Sequence, residues 1–256
     1  MSTWLLLRGL TRETRHWGDF PEVFQAYTGD AEVITIDLPG NGCLHDMRSP
    51  YSVEDMVRYC RSELARRGLA PPYDIVAMSL GAMVAVAWAT QYPHEVSRCV
   101  LINTSMRPFN SFYQRLRPRN YLALLKLVLV GGPADVREAT ILRMTSHTAD
   151  AHASVLPGWV SYRQQFPVSR RNAIRQLIAA ARYRAPAVKP AADMLVLTSS
   201  HDALVDKRCS HTLAAAWGVP IAEHPGAGHD IPLDDAPWVA QQIRDWLVRA
   251  QVEEVK

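Results

Sequence analysis

Ile75-Val76-Ala77-Met78-Ser79-Leu80-Gly81-Ala82 joins the continuous apolar run Tyr73 to Ala77 to an Ala-, Val- and Met-rich segment that ends before Pro93. A serine at such a strand-to-helix turn, with small residues two places before and two places after it, fits a tight bend that lifts its hydroxyl above a sheet. The small flanks are needed because the backbone there runs close to neighbouring elements. The competing reading of Ser79 is a plain N-cap for the helix beginning at Leu80.

Working outward, similar apolar runs recur at Thr3 to Leu7, Val33 to Asp37, Arg98 to Asn103, Met194 to Ser199 and Val219 to Glu223. Most are continuous rather than alternating, as expected of parallel strands covered on both faces. Helix signals lie between them. Ser52 is placed to cap a helix through Arg67, with Asp55 three residues on and Gly68 as its stop. A second helix is expected from Val205 to Trp217, ended by Gly218, and a third from Ala236 to Ala250. Strand alternating with helix predicts an α/β fold with a doubly wound, mostly parallel sheet.

The rhythm breaks between Met106 and Pro190. These 85 residues hold no convincing strand, but helical stretches are expected near Tyr121–Val130, Asp135–Ser146, Gly158–Gln165 and Arg170–Arg184. The expected organisation is therefore a core of residues 1–105 and 191–256, with 106–190 inserted as a helical cap. Charge divides the same way. The insertion carries 14 Lys and Arg against three acids, Asp135, Glu138 and Asp150, a net of +11, while the remainder carries 14 against 22, a net of −8.

Composition limits the function classes. A chain of 256 residues, 48% hydrophobic and 21% charged, is neither disordered nor low-complexity and can bury a core without staples. Cys43, Cys60, Cys99 and Cys209 are widely spaced with no C-x-x-C pair, so neither a zinc ribbon nor a disulfide framework is expected. The opening apolar run is too short for a secretory signal, and the longest apolar stretch, around Leu122 to Val130, is about half the ~20 residues of a membrane span. A cytoplasmic protein with no cofactor and no metal is the expectation. Aromatic residues are not interleaved with the basic ones, which argues against nucleic acid.

A serine nucleophile needs a positioned base. His229 stands in the Gly-rich loop His224-Pro225-Gly226-Ala227-Gly228-His229-Asp230 after the last strand and is the best placed of nine histidines. A buried carboxylate must hold that base in the right tautomer. Asp202, in the loop after the fifth strand, is favoured over Asp206, which sits where the next helix begins and fits a cap. Donors for a developing oxyanion are expected from the amides of Leu80 and of Leu10, the latter in Leu7-Arg8-Gly9-Leu10 after the first strand.

The order Arg8-Gly9-Leu10, Asp37-Leu38-Pro39-Gly40-Asn41-Gly42, Ala77-Met78-Ser79-Leu80-Gly81, Asp202 and Gly228-His229 resembles the α/β-hydrolase superfamily, in its small carboxylesterase and acyl-transfer branch. Trp17 sits where members with a His-Gly-x loop often place a tryptophan. The resemblance covers the chain outside the insertion and implies a Ser79-Asp202-His229 triad, an oxyanion hole at Leu10 and Leu80, and a helical cap. Three departures stand out: Arg8 replaces the usual histidine, Ala77 replaces the first glycine, and the chain opens at what would be the family's third strand. A serine in the elbow excludes the family's dehalogenases and epoxide hydrolases, which use an aspartate there. Ester and thioester hydrolysis remain, alongside a non-hydrolytic alternative: a lyase or synthase of the menaquinone-pathway type, or a ligand-binding protein on the same fold.

The basic insertion suggests a substrate. A net of +11 over an acidic body concentrates anions at the cleft mouth if it faces that way, and otherwise forms a solvated helical face. The expected partner is a small-molecule ester or thioester; the family resemblance implies as its anionic form an acyl carrier protein or coenzyme A conjugate, or a small polycarboxylate as in the menaquinone-pathway synthase. Arg8, Met78, Arg170, Arg171 and Arg175 are the candidate substrate contacts. Arg8 has a second reading, pairing with a core carboxylate.

Overall fold

The computed structural model describes residues 2–29 and 31–254, so residues 1, 30, 255 and 256 of the expected core lie outside the described residues. Among the described residues six strands form one sheet: β1 (Thr3–Leu7), β2 (Glu32–Ile36), β3 (Tyr73–Met78), β4 (Val96–Ile102), β5 (Asp193–Ser199) and β6 (Ile221–His224). Their order is β2-β1-β3-β4-β5-β6, and every neighbouring pair is parallel. The chain builds outward from β1 to β2, then returns to the other side of β1 to lay down β3. That reversal opens a crevice beyond the C-terminal ends of β1 and β3, where ligands gather in such sheets.

Side-chain alternation divides the core into two layers. Leu5 and Leu7 of β1, Ile75 and Ala77 of β3 and Cys99 and Leu101 of β4 pack under α2 (Val53–Arg66), α3 (Leu80–Gln91) and α9 (Arg208–Trp217). Trp4 and Leu6, Val76 and Met78, and Val100 and Ile102 pack under α1 (Phe20–Thr28) and α10 (Ala236–Glu254). Ser52 caps α2 by accepting from the Asp55 amide at 3.2 Å, as its spacing predicts.

Between β4 and β5 lie α4 (Phe112–Arg115), α5 (Tyr121–Leu125) with a π-turn at Lys126–Val130, α6 (Ala134–Thr145), α7 (Leu156–Gln165) and α8 (Arg170–Arg182). One isolated bridge, Arg107 to Arg184, closes the base of this segment. Several of its cations are tethers. Arg115 Nη2 donates to Ala180 O at 2.6 Å, and Arg117 and Arg119 donate to Val205 O and Ala203 O, clamping the loop after β5.

The sequence reading places some boundaries wrongly. The helix expected from Val205 begins at Arg208, because the Leu204 and Val205 amides turn back to the Asp202 carboxylate and the Arg208 amide is taken by Asp206. The run expected at Tyr121–Val130 is split by the π-turn. No helix among the described residues is long and apolar enough to cross a membrane.

Candidate active site

Ser79 leaves β3 and enters α3 with φ +53°, a value rare for a residue with a side chain. Its hydroxyl makes no capping bond to α3, so the plain N-cap reading does not describe it. Strain of this kind costs about 1–3 kcal/mol and persists only where neighbours enforce it. The Ser79 amide donates to Ile102 O at 3.0 Å, and Thr104 Oγ1 donates to Ser79 O at 3.1 Å. Gly81 is obligatory, since an added Cβ would stand 2.7 Å from Arg8 O. At Gly9 a Cβ would meet that of Ser79 at 3.2 Å, so glycine lets the loop after β1 lie against the serine. Ala77 is fully buried, its methyl group packed in the core layer of Leu7 and Ile75.

His229 and Asp202 meet although 27 residues separate them. His229 Nδ1 lies 2.7 Å from Asp202 Oδ2, and both side chains are buried. The other oxygen, Asp202 Oδ1, accepts from the amides of Leu204 and Val205 at 2.7 and 2.8 Å. An ionised carboxylate only accepts, which puts the imidazole proton on Nδ1 and leaves Nε2 free to take another. No hydrogen bond joins Ser79 Oγ to the ring; such contacts are often long in unliganded sites and tighten on binding. Asp206 stays apart, paired with Arg208 at 2.7 Å, and this partner pulls its carboxyl down to about 2.

Asn103, which the sequence reading passed over, fixes the His229 loop. Held at φ +42° after β4, it donates through Nδ2 to the carbonyls of Gly228 and His229 at 3.1 and 2.9 Å, while Oδ1 accepts from the Ser199 amide at 3.1 Å. Gln176 of α8 is a second omission. Fully buried, it accepts from the Thr11 amide at 2.8 Å and donates to Asn41 Oδ1 and Ser49 Oγ at 2.7 and 3.0 Å. The helical insertion thereby holds the loop carrying Leu10. The Leu10 amide has no acceptor among the described residues, and Leu80, first in α3, has an amide without an intrahelical partner.

Two cavities meet at Ser79. One, of about 110 Å³, is lined by Ser79, Met78 and His229 together with Arg8, Arg12, Arg137 and Arg163. The other, of about 590 Å³, is lined by Ser79, Leu80, Met83, Leu116 and Tyr121 and lacks His229. Leu10, Leu177 and Leu204 border both.

The candidate substrate contacts divide accordingly. Met78 and Arg8 reach the smaller cavity, but Arg8 is committed to Asp230, at 3.1 and 2.5 Å, and its guanidinium lies 4.8 Å from the Trp17 ring. Arg170, Arg171 and Arg175 line neither cavity. Arg170 donates to Val130 O, Arg175 donates to Ser49 O and covers Tyr51, and Arg171 is exposed. The buried side of α8 instead presents Asn172, Ala173, Gln176 and Ala179. Counting charge located the basic segment without showing which arginines turn inward.

Behind the wall of the smaller cavity, and not lining it, Glu138 is buried between Arg12, at 2.6 Å, and Arg163. Burial alone would raise its carboxyl; the two arginines outweigh that and hold it below its usual value. Burial lowers Arg12, with Arg163 and Arg8 adding to the effect against the pull of Glu138. His16, next to Arg12, is driven well below its ordinary value by burial and then by Arg12 and Arg8, so it is neutral.

The profile of the Alpha/beta hydrolase family matches residues 4–242. The chain belongs to this family. A Pyrrolizixenacetamide deacetylase of Xenorhabdus hominickii is 34% identical over 89 residues, 34% of this chain and 31% of that protein. The Biotin biosynthesis bifunctional protein BioHC of Teredinibacter turnerae is 30% identical over 105 residues, 41% of this chain and 17% of that protein. Both curated relatives are thus matched over less than a third of their length. Among solved structures, an enol-lactonase from Burkholderia xenovorans LB400 superposes with a TM-score of 0.78 at 18% identity, covering 96% of this chain and 91% of that one. This α/β-hydrolase sheet accordingly keeps its fold at an identity too low to carry a substrate across.

Proposed function

We propose that the chain is a serine hydrolase cleaving carboxylic esters through Ser79, His229 and Asp202 and an acyl-enzyme. The observation that carries this reading is Ser79, raised at φ +53° on the wall of a cavity shared with His229, whose Nδ1 is anchored 2.7 Å from buried Asp202. His229 Nε2 takes the Ser79 proton as Oγ bonds to the ester carbonyl carbon, and the Leu10 and Leu80 amides receive the oxyanion. Collapse breaks the bond to the leaving oxygen, which departs with the proton from His229. Water, deprotonated by the same ring, then releases the carboxylic acid and restores Ser79. Asp202 holds the tautomer and faces the imidazolium that forms.

Residues 106–190 act as the cap, since α5, α6, α7 and α8 contribute walls opposite Ser79. Small esters are favoured over carrier-protein or coenzyme A thioesters, because Arg170 and Arg175, which would meet a bulky anionic carrier, are tied to carbonyls away from the cavities. A fluorophosphonate probe tests the reading. It should label the wild type and not Ser79→Ala, and activated esters of graded chain length should be turned over by the wild type alone. Absence of labelling in both would favour the ligand-binding or lyase alternative.

A further inference from the structure

The smaller cavity holds more positive charge than its acids neutralise. Arg8 is matched by Asp230, but Arg12 and Arg163 share the single carboxylate of Glu138, and Arg137 has no side-chain acceptor among the described residues. Arg163 engages Glu138 through Nε alone, so both of its terminal nitrogens are uncommitted. Arg12 Nη2 and Arg137 Nε are buried with no partner. Guanidinium nitrogens buried without acceptors are costly, and a cavity that gathers such arginines beside a nucleophile is built for an anion.

The shape of the space selects the anion. Beyond the arginines, the Asp230 that matches Arg8, the catalytic pair Ser79 and His229, and the hydroxyls of Thr11 and Thr145, the walls are apolar, supplied by residues such as Leu124, Leu127, Val128, Ile141 and Met144. A compartment of about 110 Å³ has room for a short chain ending in one planar group. Arginine forks match carboxylates through paired N–H···O bonds, which are among the stronger hydrogen bonds in proteins.

Position then selects which half of the ester carries it. His229 must hand its proton to the departing oxygen and lines only the compartment that contains Arg12, Arg137 and Arg163; the larger cavity has Arg107 and Arg115 on its wall, and Arg115 spends both terminal nitrogens on the Ala180 and Ala181 carbonyls. The larger cavity, bordered by Leu80 and Met83 and without His229, receives the acyl chain. We propose that Arg137 and Arg163, backed by Arg12, form a carboxylate subsite on the leaving-group side, and that the substrates are esters whose alcohol half bears a carboxylate. The assignment of the departing half rests on the serine hydrolase reading above; the carboxylate subsite itself rests on the arginines.

The test uses matched esters. Butyryloxyacetate places a carboxylate on the alcohol half, butyryloxyacetamide is its neutral counterpart, and monoethyl glutarate with ethyl butyrate places the charge on the acyl half. For the wild type, kcat/KM for butyryloxyacetate should exceed that for the amide by about tenfold or more, consistent with charge-assisted hydrogen bonds, while the acyl-side pair should show no such preference. Arg137→Met should collapse the ratio toward one. Arg137 makes no ion pair, so this change strands no acid; Arg163→Lys, which keeps a charge for Glu138, provides a second variant and should also lower the ratio. A wild-type ratio near one, a ratio untouched in both variants, or a preference for the acyl-side carboxylate would each overturn the proposal. If no ester is turned over and the hydrolase reading fails, calorimetry of butyryloxyacetate with Ser79→Ala still decides on the subsite: binding that weakens in the Arg137→Met background supports it, and no binding overturns it.

Discussion

Arg8 Nη1 and Nη2 grip the two oxygens of Asp230 at 3.1 and 2.5 Å, tying the residue that directly follows β1 to the neighbour of His229. Both side chains are almost fully buried, so the pair is a strut between the loop after β1 and the loop after β6. Arg8→Ala should destabilise the protein by about 3–5 kcal/mol, because it leaves Asp230 as an uncompensated buried charge. Arg8→Met combined with Asp230→Leu should recover much of that loss. Denaturant titrations of the three variants measure it, and a single variant as stable as wild type would show that the pair is dispensable.

Ser79→Ala, His229→Ala and Asp202→Asn should each lower kcat by roughly 10³-fold or more, with combined losses far short of additive because the three groups act as a unit. Asp206→Asn should leave turnover near wild type, since its carboxylate serves Arg208 and the start of α9. Steady-state kinetics on one activated ester distinguish the two aspartates. Loss of activity in Asp206→Asn with retention in Asp202→Asn would reverse their roles.

What was legible in the sequence was local. The serine elbow, the Gly-rich histidine loop and the Asp202 turn each announce themselves within a few residues, and the order of strands and helices follows from short apolar runs between caps. What escaped depends on contacts made over long sequence separations by ordinary residue types. Asn103 lies 126 residues before His229, whose carbonyl it holds, and Gln176 lies 165 residues after Thr11. On α8 the polar residues Asn172 and Gln176 read by the amphipathic rule as a solvent face, yet they are buried because the loops they meet expose backbone groups that need partners. The same blindness to direction nominated Arg170, Arg171 and Arg175 and overlooked Arg12, Arg137 and Arg163.

His16 and Glu138 should give the stability of the protein two acid limbs. Below the ordinary histidine value of 6.5 the unfolded chain takes up a proton at His16 that the folded chain refuses, so stability falls as pH drops through that range. Glu138 is held below its ordinary 4.5, so its contribution is complete above that value and is lost as pH falls through the lower folded value. His16→Gln should therefore flatten the slope between pH 6.5 and 4.5 and leave the lower limb in place. Unfolding midpoints measured across pH for wild type and variant check the sign; an unchanged upper slope would mean that His16 is not held neutral.

Gln176 provides the sharpest test that the helical insertion shapes catalysis as well as covering the cavity. Its Oε1 fixes the Thr11 amide, next to the Leu10 amide proposed for the oxyanion, while its Nε2 is spent on Asn41 and Ser49. Gln176→Leu leaves these buried groups unpaired and should cost about 1–3 kcal/mol of stability. The kinetic consequence is separate. A loop displaced by about 1 Å can lower the rate by ~10²-fold, and because the oxyanion develops only in the transition state, the loss should fall on kcat with KM little changed. Gln176→Glu retains the acceptor for Thr11 but cannot donate to Asn41 or Ser49. If loop position is what matters, this variant should be destabilised like the leucine variant yet recover most of kcat. Equal kcat losses in both variants would assign Gln176 to packing alone.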